Sequence, residues 1–257
     1  MAADCRGARA LSRYWCGLLA CFAAVVFSGV APAASPSRDL AQIRAQLAVE
    51  YSRVGNLKAA LDSAAEAITV DPGYMPGHLL RANVLQQLGV DGDAEQSFLR
   101  ALALAPASPE ANNNYGWFLC QRGRADESLA YFKRALADPL YDTPQTARLN
   151  LGVCLNRLDR KAEANEQFLA ALQIAPIFPR ALAELARLHL EQGNGKLAGR
   201  YLDRRTRIGV PLSADELLLG IAITRLNGEV EREQQLAGQL TSRFPDSRET
   251  QQLLSGL

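Results

Sequence analysis

Two histidines, His78 and His189, are the side chains of this sequence best suited to proton transfer or metal binding near neutral pH. Neither stands beside a cysteine, aspartate or glutamate at metal-ligand spacing. The sequence also shows no glycine-rich phosphate loop after a strand and no Ser–His–Asp set that a pattern singles out. We therefore predict packed or rim histidines, no metal, no cofactor, no small-molecule substrate and no enzymatic activity.

The composition indicates a globular, helical chain with a sizeable core. Of 257 residues, 48% are apolar and 21% are charged. Alanine and leucine are abundant while β-branched residues are sparse, which favours helices. The formal net charge of +1 offers no electrostatic footprint for nucleic acid, so we predict no nucleic-acid partner.

The N-terminal segment has the pattern of an export signal. Three arginines precede a mostly apolar run over residues 14–30, and the Ala-Pro-Ala that follows suits a signal peptidase. We predict a signal peptide over residues 1–34 that is cleaved near Ala33 or Ala34, which places the mature chain outside the cytoplasm. The apolar run is about 17 residues long, so a retained membrane anchor is the alternative.

Turn residues repeat along the rest of the chain at a fixed interval. Gly55, Gly89 and Gly123 are equally spaced, and Pro72 and Pro106 repeat the same interval. Each interval holds two short amphipathic helices, which must stack on their neighbours to bury their apolar faces. A period of about 34 residues is typical of the tetratricopeptide array. We therefore predict an all-α fold, a right-handed superhelical solenoid of about six helix-turn-helix repeats.

The same register predicts where each repeat begins and ends. Thr143 and Pro144 interrupt it and predict a widened loop between the third and fourth repeats. In the fifth repeat, Arg205 stands where the earlier repeats close with a small residue. The predicted repeat domain spans residues 35–257, with repeats at residues 41–74, 75–108, 109–142, 145–178, 179–212 and 213–246, followed by a C-terminal cap.

Two cysteines, Cys120 and Cys154, lie in the predicted repeat domain, and the other three belong to the leader. Both fall on the first helices of neighbouring repeats, where an oxidising compartment would permit a disulfide. Their positions within the repeat differ by two, which turns the side chains apart by about 200° on a helix. On that argument we predict two separate, partly buried thiols.

The first helices of such an array line a concave groove, where we predict a partner-binding site. Trp117 lies in a central repeat, and an aromatic side chain among amides and aliphatics suits the anchoring of a partner segment. The alternative is that Trp117 only covers neighbouring helices. The amides suit a partner whose backbone needs hydrogen bonds. The predicted groove residues are Asn83, Asn113, Trp117, Gln121, Leu149, Val153, Asn156, Arg187 and Leu190.

Two segments of the sequence resemble a known family. They are NNYGWFLC at residues 113–120 and ADPLYDTPQTARLNLGVC at residues 137–154. With six repeats behind an export signal, they resemble the type IV pilus biogenesis and stability proteins, also called pilotins. The resemblance implies a periplasmic assembly factor, attached to the outer membrane through a lipid. It further implies that the partners are subunits of the pilus secretin, whose outer-membrane localisation and multimerisation the protein promotes.

One position departs from that family. Its members carry a lipid on a cysteine that would follow residues 27–29 (Phe-Ser-Gly) here, but Val30 occupies that place. Cys21 follows a similar box and is the alternative site of lipid attachment, although it lies early in the apolar run. Membrane attachment therefore stays open in the sequence, while secretin binding does not depend on it.

A second function from a different class fits the same repeats. Arrays of this type also serve as periplasmic scaffolds in envelope polysaccharide export or cell-wall assembly, where they join enzymes without contacting pili. Neither the period nor the groove distinguishes the two functions, so the assignment to pilus assembly depends on the resemblance.

Overall fold

The structure is a computed structural model, and it describes residues 36–256. Over that range the predicted all-α repeat fold is confirmed, with thirteen helices and no strand. The predicted export signal and Cys21 lie outside the described residues. The helices are α1 (Pro36–Arg53), α2 (Leu57–Val70), α3 (Met75–Gln87), α4 (Asp91–Leu104), α5 (Pro109–Gln121), α6 (Ala125–Ala135), α7 (Pro144–Arg157), α8 (Lys161–Ile174), α9 (Pro179–Glu191), α10 (Gly195–Thr206), α11 (Ala214–Asn227), α12 (Val230–Arg243) and α13 (Arg248–Leu254).

The first twelve helices form six hairpin pairs, and α13 follows as a single short helix. The most extensive contacts join the two helices of each pair, and each second helix also packs on the first helix of the next pair. First helices of neighbouring pairs touch one another as well, from α1 and α3 through to α9 and α11. Each described helix is too short or too polar to cross a membrane.

The turn inside each pair requires a left-handed backbone residue. Gly55, Gly89 and Gly123 have φ values of 77°, 75° and 80°, a region that glycine enters without steric cost. In the fourth repeat, Asp159 takes the corresponding place with φ 58°. Aspartate tolerates this conformation better than most residues, so the turn survives where the glycine spacing is broken.

Close approach of paired helices explains two glycines inside first helices. A Cβ added at Gly116 would lie 3.1 Å from Phe132 Cε1, and one added at Gly152 would lie 2.5 Å from Phe168 Cε1. Both phenylalanines are buried against these glycines. The missing side chain of each glycine on the first helix leaves the space that the phenylalanine ring of the second helix fills. The core is built from such contacts along the whole stack.

The prediction of separate thiols is wrong, because Cys120 and Cys154 form a disulfide. Their sulfurs are 2.10 Å apart and their Cα atoms 5.9 Å apart. A turn of about 200° puts the two side chains on opposite faces of their own helices. In a stack, the forward face of one first helix meets the backward face of the next. The angle of about 200° therefore brings the two sulfurs together between α5 and α7 and does not separate them.

The junction between the fifth and sixth repeats is held by a buried ion pair. Arg205, which replaces the usual small residue, is 4% exposed, and its Nε donates to Glu216 Oε1 at 2.7 Å. Its Nη1 also donates to the carbonyl oxygen of Val210 at 2.9 Å. Glu216 in turn accepts from the backbone N–H of Ser213, which caps α11. One arginine thus ties α10, the following loop and α11 together.

Candidate partner-binding groove

A cleft of about 510 Å³, which we call the N-terminal cleft, is surrounded by α1, α3, α5, α7 and the loop before α7. Its walls are mostly apolar and aromatic, with amides between them. Asn83 and Asn113, two of the predicted groove residues, line it. The other side chains that shape it include Val49, Tyr74, Leu80 and Tyr141. Aromatic walls with a few convergent polar groups are typical of a recognition site.

A second cleft of about 430 Å³, the C-terminal cleft, lies among α9, α11 and α13. Arg187 and Leu190, also predicted groove residues, line it. Arg187 is paired with two carboxylates, at 3.5 Å to Glu184 Oε2 and 3.4 Å to Asp215 Oδ2. Burial raises the pKa of Glu184, while Arg187 and Arg180 act in the opposite direction. This cleft is therefore more charged than the N-terminal cleft, and its charges are largely balanced.

Between the clefts, Trp117 is half-buried and packs against the central core cluster. The guanidinium of Arg157 lies 5.7 Å from the centre of the indole ring, within the range of a cation–π contact. Arg157 Nη1 also donates to the carbonyl oxygen of Cys120 at 2.8 Å. Trp117 is thus fixed by α7 as well as by its own helix, and it still presents part of its ring to solvent.

Three of the four predicted groove amides form hydrogen bonds between neighbouring first helices. Asn150 Nδ2 donates to Asn113 Oδ1 at 3.1 Å, which joins α7 to α5. Asn156 Nδ2 donates to Glu191 Oε2 at 3.2 Å, which joins α7 to α9. Gln121 accepts a hydrogen bond from the side chain of Gln86, which joins α5 to α3. These amides set the spacing of the first helices, a role that the sequence pattern did not distinguish from partner contact.

The remaining predicted groove residues divide by exposure. Val153 is half-buried beside Trp117 on the central cluster. Leu149 is 0% exposed and belongs to the core, so it offers no surface to a partner. The prediction that Leu149 lines the groove is wrong. The repeat register gives the direction in which a side chain points from the helix axis, but it does not give how deeply the neighbouring repeat buries that side chain.

Sequence reasoning missed two aromatic side chains of the N-terminal cleft. Tyr74 ends the loop before α3, and Tyr141 lies in the DPLY loop before α7. Tyr141 is 8% exposed, and burial raises the pKa of its hydroxyl. The groove prediction considered first helices only. The loop that the resemblance singled out was the signal that could have placed Tyr141 at the site.

The two histidines hold packing positions. A ring nitrogen of His78, Nε2, lies 3.0 Å from the carbonyl oxygen of Pro72. His189 is buried, stacks on Tyr201 with ring centres 5.5 Å apart, and has Nδ1 3.1 Å from Gln192 Oε1. Within residues 36–256, no three histidine, cysteine, aspartate or glutamate side chains are grouped to hold a metal ion.

Comparison with known proteins assigns the chain to a family. A family model described as tetratricopeptide repeat matches residues 79–145. The crystal structure of PilW, described as a widely conserved type IV pilus biogenesis factor, is 40% identical to the chain. It superposes with a TM-score of 0.77 over 83% of this chain and 98% of PilW. The chain belongs to the tetratricopeptide-repeat family of type IV pilus biogenesis factors.

Two further comparisons agree with this family of pilus biogenesis factors. The type IV pilus assembly protein PilF of Pseudomonas aeruginosa is 28% identical over 209 residues, covering 80% of this chain and 82% of PilF. A solved structure of Pseudomonas aeruginosa PilF has a TM-score of 0.73 and 26% identity over 86% of this chain. The biogenesis factors share the whole repeat array with this chain, and not only the central repeats that the family model matches.

Proposed function

We propose that this biogenesis factor is a periplasmic pilotin that binds subunits of the pilus secretin and promotes their outer-membrane localisation and multimerisation. The observation that carries the proposal is the N-terminal cleft, a half-open, mostly apolar space within an array that shares its fold with PilW. Its apolar walls suit the side chains of a bound segment, and its amides suit the segment's backbone.

The test measures assembled, membrane-associated secretin in cells that lack the gene and in cells that regain it as wild type or as a variant. Leu80→Asp places a carboxylate in the N-terminal cleft and should abolish rescue. Leu99→Asp changes the same residue type in the same repeat, at a 47% exposed position on α4, and should rescue like wild type. Trp117→Ala should reduce rescue if the bound segment extends to the centre of the groove.

A secretin multimer that persists in the deletion strain would contradict the proposal. It would move the assignment to the scaffold function in envelope polysaccharide export or cell-wall assembly. Equal loss of rescue by Leu80→Asp and Leu99→Asp would also contradict the placement in the cleft, because the two variants differ in position and not in chemistry. Circular dichroism of both purified variants establishes that each retains its helices.

A further inference from the structure

The outermost helix of the array, α1, and the residue that follows it expose a row of large apolar side chains that we call the α1 outer face. Its members are Leu40, Ile43, Leu47, Tyr51 and Val54, with exposed fractions of 42%, 53%, 38%, 37% and 65%. At 100° per residue, their spacing places all five within a sector of about 80° on the helix surface. No charged residue of α1 falls inside that sector.

In the interior of the array, the positions that correspond to Tyr51 lie on a packing face, whereas Leu88, which corresponds to Val54, is 44% exposed. Tyr51 corresponds by register to Leu85, Leu119 and Leu155, which are 3%, 0% and 4% exposed. Leu119, for example, is buried in a cluster with Phe98 and other residues of the repeat before it. Terminal repeats of soluble arrays normally carry a polar outer face because no further repeat covers them. The α1 outer face has kept the apolar character of an interior repeat.

We propose that the α1 outer face binds the same face of a second copy of this chain, as an antiparallel and two-fold symmetric pair. The spacing of the five side chains carries the proposal. Counted from Leu47, they stand at −7, −4, 0, +4 and +7, so the row is unchanged when the helix is reversed. Antiparallel pairing about Leu47 then sets Leu40 opposite Val54 and Ile43 opposite Tyr51, with Leu47 opposite itself.

The charges beside the row are compatible with two copies meeting. Arg44 and Glu50 flank it on opposite sides, so a two-fold pair brings the two Arg44 side chains to one rim and the two Glu50 side chains to the other. Each of these charges is already paired on its own chain, which reduces the repulsion between copies. Arg44 lies 3.0 Å from Glu66, and Glu50 lies 2.9 Å from Arg53. Pairing therefore buries five apolar side chains per copy and leaves the charged groups at the solvent-exposed rim. An isologous contact of this kind closes at two copies and does not propagate.

The first test is the mass of the full-length gene product, purified after processing by the cell, across about a hundred-fold range of concentration. Sedimentation velocity should show the mass rising from one copy to two. Leu47→Asp sets two carboxylates against each other at the symmetry axis and should weaken self-association at least about a hundred-fold. Leu99→Asp, on α4, is the control and should leave self-association unchanged. A wild-type protein that stays monomeric throughout overturns the proposal.

Cysteine cross-linking tests the direction and register of the pair. Leu47→Cys should form a disulfide-linked dimer with itself. Ile43→Cys and Tyr51→Cys should each remain unlinked alone and should link when mixed, since only the antiparallel register brings positions 43 and 51 together. Self-linking of Ile43→Cys would indicate parallel pairing and would overturn the proposal.

These measurements separate the α1 outer face from the secretin proposal. They use purified protein and report self-association in the absence of secretin. If the wild type is monomeric while Leu47→Asp abolishes secretin assembly, the face binds a secretin segment, and the pairing proposal fails while the proposed function stands. If pairing occurs but the secretin multimer is independent of this gene, the proposed function fails and the pairing stands.

Discussion

The two ends of the described repeat array differ in whether a helix covers the terminal repeat. At the C-terminal end, α13 lies against α11 and α12, and Leu253 packs on the last core cluster. Thr250 is 3% exposed and its hydroxyl donates to the carbonyl oxygen of Phe244 at 2.7 Å. At the N-terminal end of the described chain, the α1 outer face carries five large apolar side chains with no covering helix. Among the described residues, a helix covers the C-terminal end of the stack and none covers the N-terminal end.

The register shows how the C-terminal cover arises. Ser213 caps α11 and Ser247 caps α13, and the two serines are separated by one repeat length. By this spacing, α13 is the first helix of a further repeat that stops after seven residues. That short helix covers the sixth repeat without presenting a new apolar face of comparable length.

The largest effect should come from breaking the buried ion pair of the C-terminal repeats. Glu216→Gln leaves the Arg205 guanidinium buried without a counter-charge, and we expect a loss of about 3–5 kcal/mol in the free energy of unfolding. Urea denaturation measures the total, and hydrogen exchange should show the loss in α10 to α13 while α1 to α6 keep their protection. Asp215→Asn, at the residue before Glu216, is the control. It removes an exposed ion-pair partner of Arg187 and should lower the free energy of unfolding by less than about 1 kcal/mol.

The disulfide joins the first three repeats to the last three, so its removal should let the two ends unfold separately. Replacing Cys120 and Cys154 together by serine opens a loop of 34 residues, and we expect a loss of about 3 kcal/mol. Thermal unfolding should broaden or split into two transitions. A variant with one sharp transition at the wild-type midpoint would show that the helix contacts alone couple the halves.

The sequence predicted the repeats because their signals are local. A turn glycine, a closing proline and a small residue at each close approach recur in most repeats, and each has a steric reason that does not depend on distant parts of the chain. The failures concern contacts between repeats. Cys120 meets Cys154, and Arg205 meets Glu216, across an interface whose facing surfaces come from different repeat positions. Aligning equivalent positions of the repeats describes each helix separately. It does not show which face of one helix contacts which face of the next.

The positions of some predicted groove residues follow from the same local signals, and those of others do not. Asn83 and Asn113 reach the N-terminal cleft as their helix positions indicate. Tyr141 reaches it from a loop, whose path depends on the two inserted residues and not on the repeat. Leu149 shares the register of groove residues but is covered by its neighbours. Depth of burial depends on the side chains of adjacent repeats, and a single-helix pattern contains no information on it.

A smaller effect should follow from loosening the C-terminal cover. Thr250→Val keeps the shape of the side chain but removes its hydroxyl and leaves the Phe244 carbonyl oxygen without that donor. We expect a loss of about 1 kcal/mol. Hydrogen exchange should report the change in α13 and the end of α12 before any other part of the chain. Ser255→Ala, at an exposed hydroxyl just after α13, is the matched control and should leave exchange in α12 unchanged.

The smallest effect on folding should come from the bare N-terminal end, where the same kind of change has a different consequence. Ile43 is 53% exposed, so Ile43→Gln removes little buried area from one copy and should change the free energy of unfolding by less than about 0.5 kcal/mol. Urea denaturation at a concentration low enough to keep the protein monomeric measures this value. A loss of about 2 kcal/mol or more under those conditions, the size expected for a buried aliphatic side chain, would show that the α1 outer face is covered within a single copy. In that case both ends of the array would be covered within a single copy of the chain.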